Sequence, residues 1–199
     1  AEGYVQSNLN QDDAGVTQDF DFGSFSDGAK GYLPNDRRHV IKIFGTYQVA
    51  DEWRLGGNAT FSSGRPVSCI GFVPPSVRDF TYQAPPAANN GSGAYSSASA
   101  YYCVKDPNQP SQLVQRGSEG RTPWTTNVDL SVSYIPNWAN KKLTLGVQVL
   151  NAFNSQKAIE LNEVRDYSRD ASNNQTSFPM KQNANYKSPT AFQDPRSVQ

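Results

Sequence analysis

The sequence predicts an all-β protein built from antiparallel hairpins, and three observations lead to this fold class. Residues 122–156 contain two segments of alternating apolar and polar residues, joined by a short polar turn. Residues 37–62 repeat this arrangement with a still shorter turn. Stretches rich in Pro, Gly, Ser and Asn flank both pairs. Because successive side chains of a strand point to opposite faces, each segment should have one apolar and one polar face.

The hairpin at 122–156 has the clearest alternation. The apolar face of its first segment, a strand predicted at 123–135, is formed by Trp124, Thr126, Val128, Leu130, Val132 and Tyr134. The apolar face of its second segment, predicted at 142–153, is formed by Leu143, Leu145, Val147, Val149 and Phe153. The opposite face is mostly polar and carries Asp129 and Gln148. This spacing is typical of a hairpin with one wet side.

The hairpin at 37–62 is less regular. Its first strand, predicted at 37–49, places Ile41, Ile43, Gly45, Tyr47 and Val49 on one face. Val40 and Phe44 interrupt the polar face of that strand. After a turn at 50–52, the strand predicted at 53–62 alternates again, with Trp53, Leu55, Gly57, Ala59 and Phe61 on its apolar face. These residues predict a second hairpin of the same kind.

Three loops complete the predicted organisation, at 1–36, 63–121 and 157–199. A structureless loop as long as 63–121 is unusual in a compact soluble domain. In an outer-membrane barrel, short turns on one side and long loops on the other are expected. The sequence begins in polar residues without Met or a signal peptide, and 196–199 look like the start of a strand. We therefore expect a processed chain or a fragment that lacks its last strand.

Composition excludes some classes of protein. Only 36% of residues are hydrophobic, and 18 basic residues balance 18 acidic ones, so net charge gives no reason to expect a nucleic-acid partner. No run of 18 apolar residues occurs, so a membrane-spanning helix is not expected.

Two hairpins of this kind fit either a membrane barrel or a β-sandwich in water. Aromatic residues near the ends of the apolar faces favour the barrel, because they match the girdles at the membrane interfaces. These predicted girdle residues are Trp53, Phe61, Trp124, Tyr134 and Phe153. Lys42, Arg54, Asp129 and Gln148 on the polar faces would be tolerated in a water-filled lumen. A secreted or surface β-rich adhesion or interaction module remains the alternative.

Cys69 and Cys103 are the only cysteines, and they lie in one Gly- and Ser-rich stretch. An even pair in such a stretch favours a disulfide in an oxidising compartment. No metal site is predicted, because zinc would need more ligands than these cysteines and the lone His39, and residues 11–22 lack the calcium-loop pattern. His39 fits a rim position better than a general base, so no catalytic residue is predicted; a barrel protease or lipase using it is the weakest hypothesis.

The block RGSEGRTPW at 116–124 is the most distinctive short segment. It reads as a tight turn into a strand, in which glycines supply unusual dihedral angles. Its functional interpretation makes Arg116 and Arg121 gate or ligand contacts, together with Arg65 at the other foot of the same loop. The two feet must meet if the hairpin forms. Tyr101 and Tyr102 form either a binding surface or part of the loop interior.

Five blocks in order carry a resemblance to a known family. They are GYLPNDRRHVIKIFGTYQV, LGGNATFSSGRPVS, RGSEGRTPWTTNVDLSVSY, LTLGVQVLNAFNSQ and NYKSPTAFQDPRSV. Together they resemble the carboxy-terminal barrel portion of a TonB-dependent outer-membrane receptor of the Oar-like branch. The Asn151-Ala152-Phe153-Asn154 segment is similar to the N-x-F-N element that ends a late strand in such barrels.

The resemblance implies four whole strands, and the start of the last, of a transmembrane antiparallel barrel of 22 strands. It implies a non-enzymatic protein without cofactors, in the outer membrane of a Gram-negative bacterium, that takes up or exports a ligand in an energy-coupled way. Its partners would be outer-membrane lipid, the remainder of the barrel and plug, a TonB-type energising protein and an unknown ligand. The loops at 1–36, 63–121 and 157–199 would be extracellular.

Overall fold

The computed structural model describes residues 2–4, 24, 26–77, 99–166 and 178–199, the first three by their backbone alone. The calcium-loop segment at 11–22 therefore lies outside the described residues. The regular elements are strands and short 3-10 turns, among them Pro75–Val77 and Asn137–Ala139. The strands are β1 Glu2–Tyr4, β2 Lys30–Tyr32, β3 Val40–Ala50, β4 Trp53–Ser62, β5 Tyr102–Cys103, β6 Gln112–Leu113, β7 Thr125–Tyr134, β8 Leu145–Leu150, β9 Ala158–Leu161, β10 Pro189–Phe192 and β11 Ser197–Val198.

The largest sheet has five antiparallel strands in the order β11-β8-β7-β4-β3. The all-β, antiparallel prediction is thus confirmed. β4 has its predicted bounds, whereas β3, β7 and β8 begin two or three residues later than predicted, and β8 ends three residues earlier. The described residues do not form a closed barrel, and closure into a barrel of 22 strands stays a prediction.

The register of the sheet keeps the two faces separate across the strands. Tyr47 pairs with Leu55, and Leu55 pairs with Val132. Val132 in turn pairs with Val147 on β8. Directly paired residues of antiparallel strands share a face, so the apolar positions of four strands form one continuous surface. We call it the apolar face and the opposite surface the polar face.

The short turns lie at one end of this sheet. Trp53 at the start of β4 pairs with Tyr134 at the end of β7, so the 50–52 and 135–144 connections share an end. At the other end, Val40, Ser62 and Thr125 are joined by pairing. The chain therefore enters and leaves the sheet through its long segments at that second end. The short turns thus lie at one end of the sheet and the long connections at the other, as the sequence predicted.

The chain divides into two compact units. The sheet unit comprises residues 37–65, 122–160 and 189–199, and it contains the five-stranded sheet together with most of the β9–β10 pair. The stapled unit comprises residues 1–36, 66–121 and 161–188, and it contains the β1–β2 and β5–β6 pairs. We name it for the disulfide between Cys69 and Cys103.

The stapled unit has a hydrophobic interior, although its sequence has no sustained alternation. Its buried apolar residues include Val67, Ile70, Phe72, Val73, Tyr101, Val104 and Val114. The expectation that 63–121 and 157–199 lack structure of their own needs correction. Their described parts hold β5, β6, β9 and β10 as well as this interior, because main-chain pairing and the disulfide replace long strands.

No helix in the described part of the chain is long and apolar enough to cross a membrane.

Candidate functional site

The apolar face of the five-stranded sheet is open to its surroundings. Ile43 is 61% exposed, Tyr47 71% and Val147 54%. Other exposed side chains of the same face are Ile41, Val49, Trp53, Leu55, Leu130, Val132, Leu145 and Val198. Soluble monomers rarely expose a contiguous apolar patch of this extent, and such patches mark contact with protein or lipid.

Aromatic rings lie at both ends of the apolar face. At the short-turn end, Trp53 and Tyr134 pack with ring centroids 4.8 Å apart. At the other end, His39 stacks on Trp124 with centroids 6.1 Å apart and nearly parallel rings, which agrees with the rim position expected for His39. Trp53, Trp124 and Phe153 are exposed, while Phe61 and Tyr134 are half-buried. Their contact with a membrane stays a prediction.

The polar face is organised around the carboxylate of Asp129. The side-chain amide of Asn127 donates to both of its oxygens, at 2.9 and 3.0 Å. The amide of Asn58 donates to Oδ2 at 3.5 Å, and the backbone N–H of Asn151 donates to Oδ1 at 2.9 Å. Asp129 thus ties β4, β7 and the end of β8 together through polar contacts.

The NAFN segment after β8 forms a turn that holds the start of β11. Asn151 and Asn154 both adopt left-handed backbone angles, with φ of 47° and 52°, which asparagine tolerates better than most residues. The buried side chain of Asn151 donates to the carbonyls of Ser155 and Asp194 at 3.0 and 2.8 Å. Oδ1 of Asn154 accepts the N–H of Arg196 at 3.0 Å. These bonds fix the segment that precedes Ser197.

Two hollows lie along the polar face and share Asp129. The first, of about 450 Å³, includes Phe44, Gly56, Asn58 and Gln148 in its lining. A side chain at position 56 would collide with Oγ of Ser131, so glycine keeps this hollow open. The second, of about 640 Å³, includes Asn127, Gln193 and Asp194, together with Phe192. Both volumes lie within the range of small-molecule pockets, about 300–1,000 Å³.

The disulfide predicted from the sequence is present. Cys69 and Cys103 have Cα atoms 5.9 Å apart, and both are buried with Val114 and against Tyr186. Tyr186 is held on its other side by Arg165, whose guanidinium lies 4.9 Å from the ring centroid. The disulfide therefore lies in the buried interior of the stapled unit and joins residues that are 34 positions apart.

A buried carboxylate lies beside the disulfide-bearing strand. Asp166 is 2% exposed and accepts hydrogen bonds from the N–H of Val104 at 2.9 Å and from Oγ of Ser111 at 3.0 Å. Burial raises the pKa of Asp166 to about 6, although these hydrogen bonds and the charge of Arg165 act in the opposite direction. Asp166 therefore titrates much closer to neutral pH than an exposed aspartate does.

Three predicted ligand contacts lie inside the stapled unit. Arg116 is 3% exposed and its guanidinium lies 5.8 Å from the ring centroid of Tyr101, which is itself buried. Tyr102 is buried and donates to Oδ2 of Asp27 at 2.6 Å. Of the two interpretations of these tyrosines, the structure favours packing within the loop. A ligand could reach them only after this part opens, so their ligand role stays a prediction.

Arg65 and Arg121 are also engaged in intramolecular contacts. Arg65 lies 3.6 Å from Oε1 of Glu160. Arg121 forms a salt bridge with Asp36, donates to its carbonyl at 2.9 Å, and lies 5.5 Å from the ring centroid of Tyr32. These contacts hold both arginine side chains against neighbouring parts of the chain. That Arg65 and Arg121 also act as gate or ligand contacts stays a prediction.

The two feet of the long loop meet, as the sequence predicted. The N–H of Thr122 donates to the carbonyl of Arg65 at 2.9 Å, and the N–H of Val67 donates to the carbonyl of Gly120 at 2.9 Å. Gly117 and Gly120 have φ of 67° and 102°, which confirms the tight turn that the block at 116–124 indicated.

Sequence reasoning missed two of these features. Asp166 lies in a polar stretch with many charged residues, and the sequence carries no signal of its burial. The structural role of the NAFN turn could have been inferred, because two asparagines three residues apart after a strand favour left-handed turns. Among the described residues, no cluster of three or more His, Cys, Asp or Glu side chains could hold a metal ion.

Neither a protein-family model, nor a curated protein, nor a solved structure was found to match this chain. The receptor family indicated by the sequence blocks therefore stays a prediction.

Proposed function

We propose that the sheet unit is part of the wall of an outer-membrane β-barrel of the TonB-dependent receptor type. In this proposal the apolar face contacts lipid and the polar face lines the lumen. The protein would carry a ligand across the outer membrane of a Gram-negative bacterium, with energy supplied through a TonB-type partner. It would not act as an enzyme.

The observation that carries this proposal is the open, continuous apolar face on strands of membrane-spanning length. β3, β4 and β7 have 11, 10 and 10 residues, and a transmembrane strand needs about 9–11. Every second residue of these strands, including Ile43, Leu55 and Val132, presents its side chain on the apolar face. In water this exposure would be unfavourable, whereas in lipid it costs nothing.

Aromatic rings and turn lengths support the same proposal. Trp53 and Tyr134 lie at the short-turn end and Trp124 lies at the other, and aromatic residues at both ends are expected of two interfacial girdles. The short turns share one end of the sheet, as periplasmic turns of such barrels do. The segment at 63–121, which carries Cys69 and Cys103, would then be extracellular, where a disulfide persists.

The adhesion-module alternative would require a second layer over the apolar face. A β-sandwich buries that face against another sheet. Among the described residues of the sheet unit, no second sheet covers Ile43, Tyr47 or Val147, and all three are exposed. The adhesion module is therefore less well supported than the barrel.

Spin labels on the two faces of one strand test the proposal. Two single variants, Ile43→Cys and Lys42→Cys, place a nitroxide on opposite faces of β3. The native cysteines form a disulfide, so only the introduced cysteine reacts with the label. In outer membranes, the label at position 43 should be reached mainly by oxygen from the lipid. The label at position 42 should be reached mainly by a water-soluble nickel chelate. Ile41→Cys and Thr46→Cys provide a second pair from the same two faces.

The proposal fails if labels on the two faces do not differ in their collision rates with oxygen and with the nickel chelate. A water-soluble protein in which both labels meet the nickel chelate, or in which the label at position 43 is shielded from both reagents, would instead favour the adhesion module.

A further inference from the structure

An aromatic side chain interrupts the polar face of the sheet. Phe44 lies on β3 between the polar-face residues Lys42 and Thr46, and it is 82% exposed. The register places it in one row with Asn58 on β4 and Asp129 on β7. Neighbouring strands are about 4.8 Å apart, so the ring lies roughly one strand spacing from the first of these polar groups. At this exposure the ring is little covered by the other described residues.

The space beside Phe44 is open. Gly56, which pairs with Thr46 and Ser131, leaves the row next to Phe44 without a side chain on the central strand. The resulting hollow of about 450 Å³ is bordered by Gln148 on β8. An aromatic ring therefore faces a cavity with hydroxyl, amide and carboxylate groups on its other walls.

The second hollow repeats this combination. Phe192, 54% exposed, lies with Asn127, Gln193 and Asp194 around a space of about 640 Å³. Asp129 lines both hollows. The two hollows thus form a path along the polar face, with an exposed phenylalanine in each and a shared polar residue between them.

The charges of the lining residues restrict the class of ligand. No lysine or arginine lines either hollow, so there is no cation to hold a phosphate or carboxylate. Both oxygens of Asp129 already accept hydrogen bonds from Asn127, and others come from Asn58 and Asn151. The charge of Asp129 is thus partly satisfied within the protein, which weakens its attraction for a cationic ligand. Asp194 is the other acidic residue of the two linings, so an anionic ligand is disfavoured and a cationic ligand is the competing class.

We propose that Phe44, Asp129 and Phe192 mark a binding path for an uncharged, polyhydroxylated ring ligand, that is, an oligosaccharide. The phenylalanine rings would stack on the apolar faces of sugar rings, and the amide and hydroxyl side chains would bond their hydroxyl groups. This inference rests on the proposed function, because it requires the polar face to line a lumen.

Calorimetric titration of the detergent-purified protein tests the inference with defined probes. Maltohexaose, cellohexaose and xylohexaose represent neutral oligosaccharides, while an oligogalacturonate and an oligolysine represent anionic and cationic ligands. At least one neutral probe should bind and the two charged probes should not. Phe44→Ala should weaken that binding about tenfold, as loss of a stacked ring does. Phe44→Tyr should restore it, and Phe153→Ala, an exposed phenylalanine outside both linings, should leave it unchanged.

The inference is overturned if no neutral probe binds, if a charged probe binds better, or if Phe44→Ala leaves the affinity unchanged. Reduced thermal stability of Phe44→Ala without a change in affinity would mean that the ring packs against protein, which also overturns it. The spin-label pair on β3, measured in the same variants, separates the two proposals. Normal lipid exposure at position 43 without sugar binding removes only the binding path, whereas loss of the face difference removes the barrel.

Discussion

The two units place their hydrophobic residues in opposite ways. The sheet unit has long regular strands and leaves large apolar side chains such as Ile43, Tyr47 and Val147 exposed. The stapled unit has very short strands and buries its apolar side chains, among them Val67, Val73 and Val104. Apolar surface in water is unfavourable, so a chain that must be stable in water buries it. Under the proposed function, the exposed face of the sheet unit would contact lipid, whereas the stapled unit keeps its apolar side chains away from water.

The stapled unit shows how a region without long strands can be stabilised. In the stapled unit, a disulfide, a buried carboxylate and main-chain pairing such as that of Gly71 with Ala100 hold segments that are far apart in sequence. In the sheet unit, the pairing of long strands holds such distant segments together. Four changes test the contrast, in order of decreasing expected effect.

Removing the disulfide should destabilise the stapled unit and spare the sheet. The combined Cys69→Ala and Cys103→Ala variant frees a closed loop with a sequence separation of 34. By loop-closure entropy the loss is about 3–4 kcal/mol. Hydrogen exchange should show this loss at the amides of Val104 and Val114, while the amide of Val132 keeps its protection. Equal loss of protection in the sheet would contradict the independence of the two units.

A charge on the apolar face should be costly, and one on the polar face should not. Val149→Arg places a cation where we expect lipid, in the row of Leu130 midway between the two aromatic ends of the apolar face. Near the membrane centre this lowers the free energy of unfolding by about 2–4 kcal/mol. Gln148→Arg, on the preceding residue and the opposite face, serves as the control and should change it little. Urea unfolding of the protein in lipid vesicles measures both. Similar costs for the two variants would contradict the assignment of faces.

The stability of the stapled unit should depend on pH through Asp166. Its pKa is raised from 3.8 to about 6 by burial, so the folded state holds the proton more tightly than the unfolded state. The associated stability, about 3 kcal/mol, is complete below about pH 4 and is lost as the pH rises through 6. Hydrogen exchange at Val114, corrected for the intrinsic pH dependence, should follow this course.

Asp166→Asn is the matched control for that pH dependence. It keeps the shape of the side chain but does not titrate, so the change between about pH 4 and 6 should disappear. If the variant retains the full pH dependence, another group is responsible.

Loosening the NAFN turn should have the smallest effect and should be confined to β11. Asn151→Gly keeps the left-handed backbone accessible but removes the side-chain bonds to Ser155 and Asp194. The expected loss is about 1–2 kcal/mol, since each hydrogen bond contributes about 0.5–1.5 kcal/mol net.

Crosslinking reports the position of β11 directly. Cysteines introduced at Val149 and Val198, which are paired, should form a disulfide readily in the parent and more slowly with Asn151→Gly. Phe153→Ala, within the same turn but without a described side-chain hydrogen bond, is the control. Unchanged crosslinking in Asn151→Gly would show that the turn does not position β11.

Much of the sheet unit could be predicted because its pattern is local. Alternation at 53–62 and 123–135 defines both the strands and their faces, and short turns at 50–52 and 136–140 leave antiparallel pairing as the only arrangement. Strand ends were predicted less accurately, because Leu143 continues the alternation although β8 begins only at Leu145. The disulfide was predictable by counting, since two cysteines allow a single pairing.

The candidate sites were predictable only in part. Arg116 and Arg121 stood out as distinctive residues, but their partners Tyr101 and Asp36 lie 15 and 85 positions away in sequence. The first hollow depends on Gly56 lying beside Ser131 on the neighbouring strand, which requires the register. Phe44 is an exception on the polar face in the sequence too, but its neighbours across the sheet depend on the register.

The sequence by itself determined the all-β class, the two hairpins and the pair of faces, because strand periodicity and turn length act within a few residues. Only the tertiary structure decided that the long loop has a buried interior and that Asp166 lies within it. It also decided that Asn151 holds the start of β11. These features depend on which distant segments meet, and contacts of that kind leave no periodic trace in a single sequence.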